Sequence, residues 1–227
     1  MLKVNSSLIV EFIGTFFLTG VVIGSGIMAE NLSQGNDAIA LLGNTIATGA
    51  ILFVLIKSFS STSGAHFNPI VSLVFFIKKE ITAPVCLKYI IVQIFGAMIS
   101  VIIIHYYFNQ KLIQISMNVR GQEELLISEI VATFGLMTTI LFVRKYNSDD
   151  VAAAVALFIT AGYWFTSSTS FANPAVTIAR TFTNTFTGIA PSSVPYFIIG
   201  QIIGALFSNY IYKVIQANRS YNSQINL

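Results

Sequence analysis

Apolar positions run along this chain in six long blocks, approximately residues 6 to 28, 38 to 58, 84 to 107, 124 to 143, 151 to 168 and 193 to 215, with polar residues gathered between them. A bilayer core of about 30 Å is crossed by about 20 apolar helical residues, so each block predicts one transmembrane helix. The first block is too long, and has the wrong small-residue pattern, to be a cleaved signal sequence, and the chain beyond it never becomes soluble-like. Two stretches break the rhythm, "SGAHFNPIVSLVFF" at 63–76 and "SFANPAVTIAR" at 170–180. The apolar run after each Asn-Pro is too short to span. Proline suits the first turn of a helix, where its missing N–H would be unpaired anyway. Each stretch therefore predicts a loop that dips into the membrane and starts a half-helix at mid-depth, tolerable only where protein or a wet cavity surrounds the bare backbone.

The order of elements repeats. "VEFIGTFFL" carries Glu11, Thr15 and Leu18, and "SEIVATFGL" carries Glu129, Thr133 and Leu136 at the same spacing; "VQIFGAMIS" has Gln93, Gly96 and Ala97, and "GQIIGALFS" has Gln201, Gly204 and Ala205. An Asn-Pro segment lies within each half. Three spans per half is odd, so the second copy enters from the opposite side. The prediction is an all-α integral membrane protein, six transmembrane helices plus two re-entrant half-helices in an inverted repeat, with the pathway at the repeat interface. It forms one channel domain over 1–227, with repeats over approximately 1–108 and 122–217.

Composition agrees with lipid as the solvent: 55% of residues are hydrophobic, 9% are charged and the mean hydropathy is +0.77. The net charge of +3 matters less than its placement. With a cytoplasmic amino terminus, Lys3, Lys57, Lys78, Lys79, Lys88, Arg144, Lys145, Lys213 and Arg219 lie inside, while Lys111, Arg120 and Arg180 lie outside. That bias obeys the positive-inside rule, so both termini are expected in the cytoplasm and no nucleic-acid partner is needed to explain the basic balance. A single cysteine, Cys86, excludes an intramolecular disulfide. Two histidines far apart give no dense metal-ligand cluster, and no hydrolase, zincin or phosphate-loop motif is present.

The segments "EFIGTFFL", "SGAHFNPIVSL", "YIIVQIFGA", "SEIVATFGL", "FANPAVTIA" and "GQIIGALFS" resemble, in order, those of the aquaporins and aquaglyceroporins, the major intrinsic proteins. The resemblance implies a six-helix right-handed bundle, one pore per subunit, a homotetramer in a lipid bilayer, small neutral solutes and water as partners, no cofactor and no enzymatic activity. Asn68 and Asn173 match the family's pore asparagines, with Pro69, Ile70, Pro174 and Ala175 around them at the pore centre. Glu11 and Glu129 match glutamates that brace the dipping loops, rather than serving as the proton relay an intramembrane carboxylate otherwise suggests. His66 matches a loop histidine lining the cytoplasmic side of the pore. His105, beside Tyr106 and Tyr107, is expected in an aromatic belt at the outer interface.

Two departures bear on the solute. Ile70 stands where the family usually has alanine, adding bulk beside the constriction or against packed neighbours. Val176 stands where most members have the filter arginine, and Arg180, a turn further on, is expected at the outer half-helix surface or as an interhelix partner, away from that point of the pore. Counting from the asparagines places Thr48, Ala161 and Ser170 in the filter with Val176, with Gly162 as the alternative to Ala161. These side chains are small and uncharged, which predicts a wide filter; Tyr163 and Trp164 are expected at the interface or facing lipid, with partial refilling of the vestibule as the alternative. The "FANPAVTIAR" pattern is similar to a bacterial aquaglyceroporin subgroup associated with arsenic detoxification. The expectation is a passive channel for glycerol-like polyols, metalloid hydroxides such as arsenite, and water, in a bacterial inner membrane. A water-selective aquaporin is the alternative, and an alternating-access transporter is more remote because no acidic cluster offers coupling-ion ligands at mid-membrane.

Overall fold

The computed structural model describes residues 5–121 and 123–225, so Lys3, counted among the inside charges, lies outside the described residues. The elements are α1 (Ser6–Leu32), α2 (Asp37–Ser63), α3 (Pro69–Ile77), α4 (Ala83–Tyr107), α5 (Glu123–Tyr146), α6 (Val151–Phe165), α7 (Pro174–Ala179) and α8 (Val194–Ile225), and no strand occurs among the described residues. Helices α1, α2, α4, α5 and α8 are each long and apolar enough to cross a membrane. Helix α6 has 15 residues, about 22 Å of rise. It stops short of the expected 168 because Thr166 turns extended, at φ −111° and ψ 135°, and Thr169 and Ser170 take positive φ, leading the chain into the loop before α7.

Polarity is inverted relative to a soluble protein. Phe17, Ile46, Phe53, Phe95, Ile127, Leu157 and Phe207 are exposed on the outer faces, whereas Glu11, Gln93, Glu129 and Gln201 are wholly buried. Lipid is as apolar as leucine, so the outer faces gain nothing by turning inward; the polar groups do, because only protein can satisfy them.

Helix α1 packs on α2 and α4, α5 packs on α6 and α8, and α2 meets α6 across the middle; both short helices lie against α4 and α8 and touch each other. The α1–α4 and α5–α8 crossings are backbone-close. A Cβ on Gly96 would lie 2.5 Å from the Phe12 carbonyl oxygen, and one on Gly204 would overlap the Ile130 carbonyl oxygen. The obstacle in both cases is backbone, which cannot swing aside as a side chain would, so hydrogen is the only substituent that fits.

Candidate pore and its lining

The two dipping loops are held by matching contacts. Glu11 Oε1 accepts hydrogen bonds from the His66 N–H (2.9 Å) and the Ser63 hydroxyl (2.6 Å), and Oε2 accepts from the Phe67 N–H (2.7 Å) and the Gln93 amide (2.8 Å). Glu129 accepts from the Phe171 N–H (3.0 Å), the Ala172 N–H (2.8 Å) and the Gln201 amide (2.7 Å). Each glutamine also donates to a hydroxyl on the neighbouring half-helix, Gln93 to Ser72 at 3.1 Å and Gln201 to Thr177 at 3.0 Å. Ala65 and Phe67 in the first loop, and Ser170 and Ala172 in the second, hold positive φ. Each such residue costs on the order of 1 kcal/mol, and the carboxylates offset this by pairing N–H groups that neither helix nor water reaches.

Asn68 and Asn173 cap the half-helices. Asn68 Oδ1 accepts from the Ile70 N–H (2.9 Å), and Asn173 Oδ1 from the Ala175 N–H (3.0 Å), with proline next in both cases. Their amides reach across the middle: Asn68 Nδ2 donates to the Ala172 carbonyl (2.7 Å) and Asn173 Nδ2 to the Phe67 carbonyl (2.9 Å). Cap and crossing bond use Oδ1 and one Nδ2 hydrogen, leaving each amide a second donor.

One cavity of about 550 Å³ runs past both asparagines. Towards the carboxyl end of α2 it is lined by His66, Lys57, Glu80, Arg144 and Asp149, and at the opposite end by Thr48, Tyr163, Ser170, Phe171, Val176 and Arg180. Pro69, Ile70, Pro174 and Ala175 are buried but outside this lining. Ile70 packs into the apolar core, so of the two places open to its bulk it takes the one against packed neighbours. The His66 ring sits 3.0 Å from the Ser72 hydroxyl and 4.6 Å from the Phe75 ring centroid. Below it, Glu80 pairs with Arg144 at 2.6 Å and with Lys78 at 3.7 Å.

Four expectations are corrected. Ala161, expected in the filter, is exposed and outside the cavity lining; Tyr163, expected at the interface or facing lipid, lines it instead, only 4% exposed, its hydroxyl 3.1 Å from the Thr48 hydroxyl. Two residues along a helix is a rotation of about 200°, and the inward face of α6 is Ala152, Val155, Ile159 and Tyr163. That spacing is the signal the sequence offers. Gly162, the alternative, lies against Ser170, where a Cβ would meet the Ser170 hydroxyl oxygen at 2.5 Å, and Trp164 faces outward. Arg180 is 2% exposed rather than at the surface and lines the same cavity as Val176. His105 is fully buried: Nδ1 donates to the Leu112 carbonyl (3.0 Å), which fixes the tautomer, and Nε2 meets the Thr183 hydroxyl (2.8 Å). Its neighbours Tyr106 and Tyr107 are exposed, about 100° and 200° further round the helix.

The comparisons with known proteins agree with this architecture. A family model described as major intrinsic protein matches residues 1–160. The aquaglyceroporin AqpS of Rhizobium meliloti (strain 1021) is 48% identical over 198 residues, 87% of this chain and 84% of that protein. Aquaporin TIP2-2 of Zea mays is 26% identical over 220 residues, covering 94% and 88%. The X-ray structure of the aquaglyceroporin from Plasmodium falciparum shares the fold, with a TM-score of 0.71 at 21% identity over 92% of this chain and 96% of that one. Six predicted spans, two half-helices meeting at their capped ends and these matches have one reading: the chain belongs to the major intrinsic protein family and is a passive membrane channel, not an enzyme.

Proposed function

We propose that the channel carries small uncharged solutes, glycerol-like polyols and metalloid hydroxides such as arsenite, together with water. The observation that carries this reading is the mixed lining of the cavity. Thr48 and Tyr163 bring hydroxyls to it, while Leu18, Val22, Leu52 and Val176 bring hydrocarbon. A polyol likewise combines hydroxyls with C–H groups, so it exchanges hydration for wall contacts as it passes. At the centre, Asn68 and Asn173 each keep one amide hydrogen for a solute oxygen and offer it no acceptor there. Donors alone orient such an oxygen, interrupt a chain of proton-passing waters and disfavour cations, as do the amino-terminal ends of α3 and α7 that meet beside them. Trivalent arsenic hydroxide is neutral near pH 7 and presents hydroxyls as glycerol does; the valine-bearing "FANPAVTIAR" supports that cargo.

Glu11 and Glu129 act in this reading as braces and His66 as a wall of the inner half. The end bearing Lys57, Lys78, Arg144 and Lys145 is the cytoplasmic one by the positive-inside rule. The assembly is a homotetramer in a bacterial inner membrane with both termini cytoplasmic, which crosslinking in native vesicles and labelling of terminal cysteines from either side would check.

The test is light scattering of proteoliposomes mixed with a glycerol gradient, beside empty vesicles. Rapid shrinkage followed by rapid reswelling supports a polyol channel and leads to the same assay with arsenic trihydroxide. Rapid shrinkage with reswelling no faster than in empty vesicles would make the pore water-selective, a result for which Tyr163 would be the first cause to examine.

A further inference from the structure

Val176 leaves the outer filter without the arginine usual at that position, yet a guanidinium lines the same space. Arg180 sits in the turn that ends α7. Its Nε donates to the Thr187 carbonyl at 2.5 Å, and its Cζ lies 3.5 Å from the centroid of the Phe171 ring. Those contacts fix the plane of the group but use only one of its five N–H bonds. Neither Nη has a protein acceptor, and Arg180 has no ion pair, among the described residues. A second guanidinium, Arg120, stands 5.7 Å from the same ring and donates to the carbonyls of Gly188 and Phe186. Helical side chains lean towards the amino terminus, and a long side chain covers the turn before its own Cα. Arg180 thereby reaches back toward the ring of Val176, Ser170 and Tyr163 from one turn further out.

A planar fork with unpaired N–H groups on the cavity wall suits a solute that offers several hydroxyls together.

We infer that Arg180 supplies the cationic member of the outer filter in place of residue 176, and that its fork selects hydroxyl-rich neutral solutes while turning cations back. The inference deepens the polyol reading and rests on it.

The test uses proteoliposomes of the full chain with glycerol, urea as a smaller, hydroxyl-free neutral solute, and an internal pH dye to follow proton leak. Arg180→Gln should lower the glycerol-to-urea flux ratio about tenfold, the worth of one charge-assisted hydrogen bond, and raise the leak. Arg180→Lys should lower the ratio while the leak stays low, because an ammonium keeps the charge but loses the planar fork. An unchanged ratio and leak in an assembled Arg180→Gln channel would overturn the inference alone; if that variant does not assemble, Arg180→Lys decides by the same ratio. A wild-type channel that passes no glycerol would overturn the polyol reading and this inference together.

Discussion

Around Asn68 and around Asn173 the chain solves one problem with the same parts, a carboxylate on two loop N–H groups, a glutamine from the next helix, an asparagine cap and a proline. What lines the cavity on either side of this shared frame is unlike: His66 and the charged group of Lys57, Glu80 and Arg144 at one end, Tyr163, Phe171 and Arg180 at the other. The frame is backbone chemistry and tolerates little change, because each part satisfies a group that nothing else can reach. The lining is side-chain chemistry and varies between the halves without disturbing the loops. The difference teaches that the frame holds the loops in place without dictating which side chains line the path on either side of it.

The strongest way to break the comparison is at the helix crossings. Leucine at Gly96 or Gly204 should abolish most assembly before selectivity changes, read as loss of the folded peak in size-exclusion chromatography; normal yield with altered flux would mean that those crossings belong to the lining. Next come Glu11→Gln and Glu129→Gln. Each turns an amide towards donors and strands at least one buried N–H, at a cost of about 3 kcal/mol or more, and the two should lower thermal stability to similar extents. A large effect at only one site would break the equivalence of the halves. Val176→Arg should leave assembly intact and suppress glycerol more than water in the scattering assay, by about tenfold; unchanged glycerol flux would remove Val176 from the filter. Smallest in flux is Ile70→Ala, which opens a void in the core and should cost about 2 kcal/mol of stability while leaving the glycerol-to-water ratio as it was.

The frame is legible in the sequence because it is written twice. Glu11 with Glu129, Gln93 with Gln201 and Asn68 with Asn173 stand at matching places, and burying an acid or amide in an apolar chain is costly enough to mark each pair. The outer lining is less so. Counting back from Asn173 crosses the end of α6 and a loop with left-handed residues, so distance along the chain no longer gives helical phase, and the count lands on Ala161 where Tyr163 stands. Arg180 escapes because a Cα position says nothing about where a long, leaning side chain delivers its charge. His105 escapes because its neighbours, Tyr106 and Tyr107, suggest an interface that the turn of the helix denies it.

The crossed amides at the centre bear on how the protein is made. Asn68 is tied to a carbonyl 104 residues later, and Asn173 to one 106 residues earlier. During synthesis the first half enters the bilayer well before Ala172 exists, so its loop waits with one bond unmade, and the middle of the molecule closes late, after a large loop-closure cost has been met. In an Ile70→Cys variant, whose side chain lies in the core and outside the cavity lining on a helix that packs against α8, a nascent chain halted after α4 should therefore leave the new thiol open to a small thiol reagent, and the finished protein should protect it.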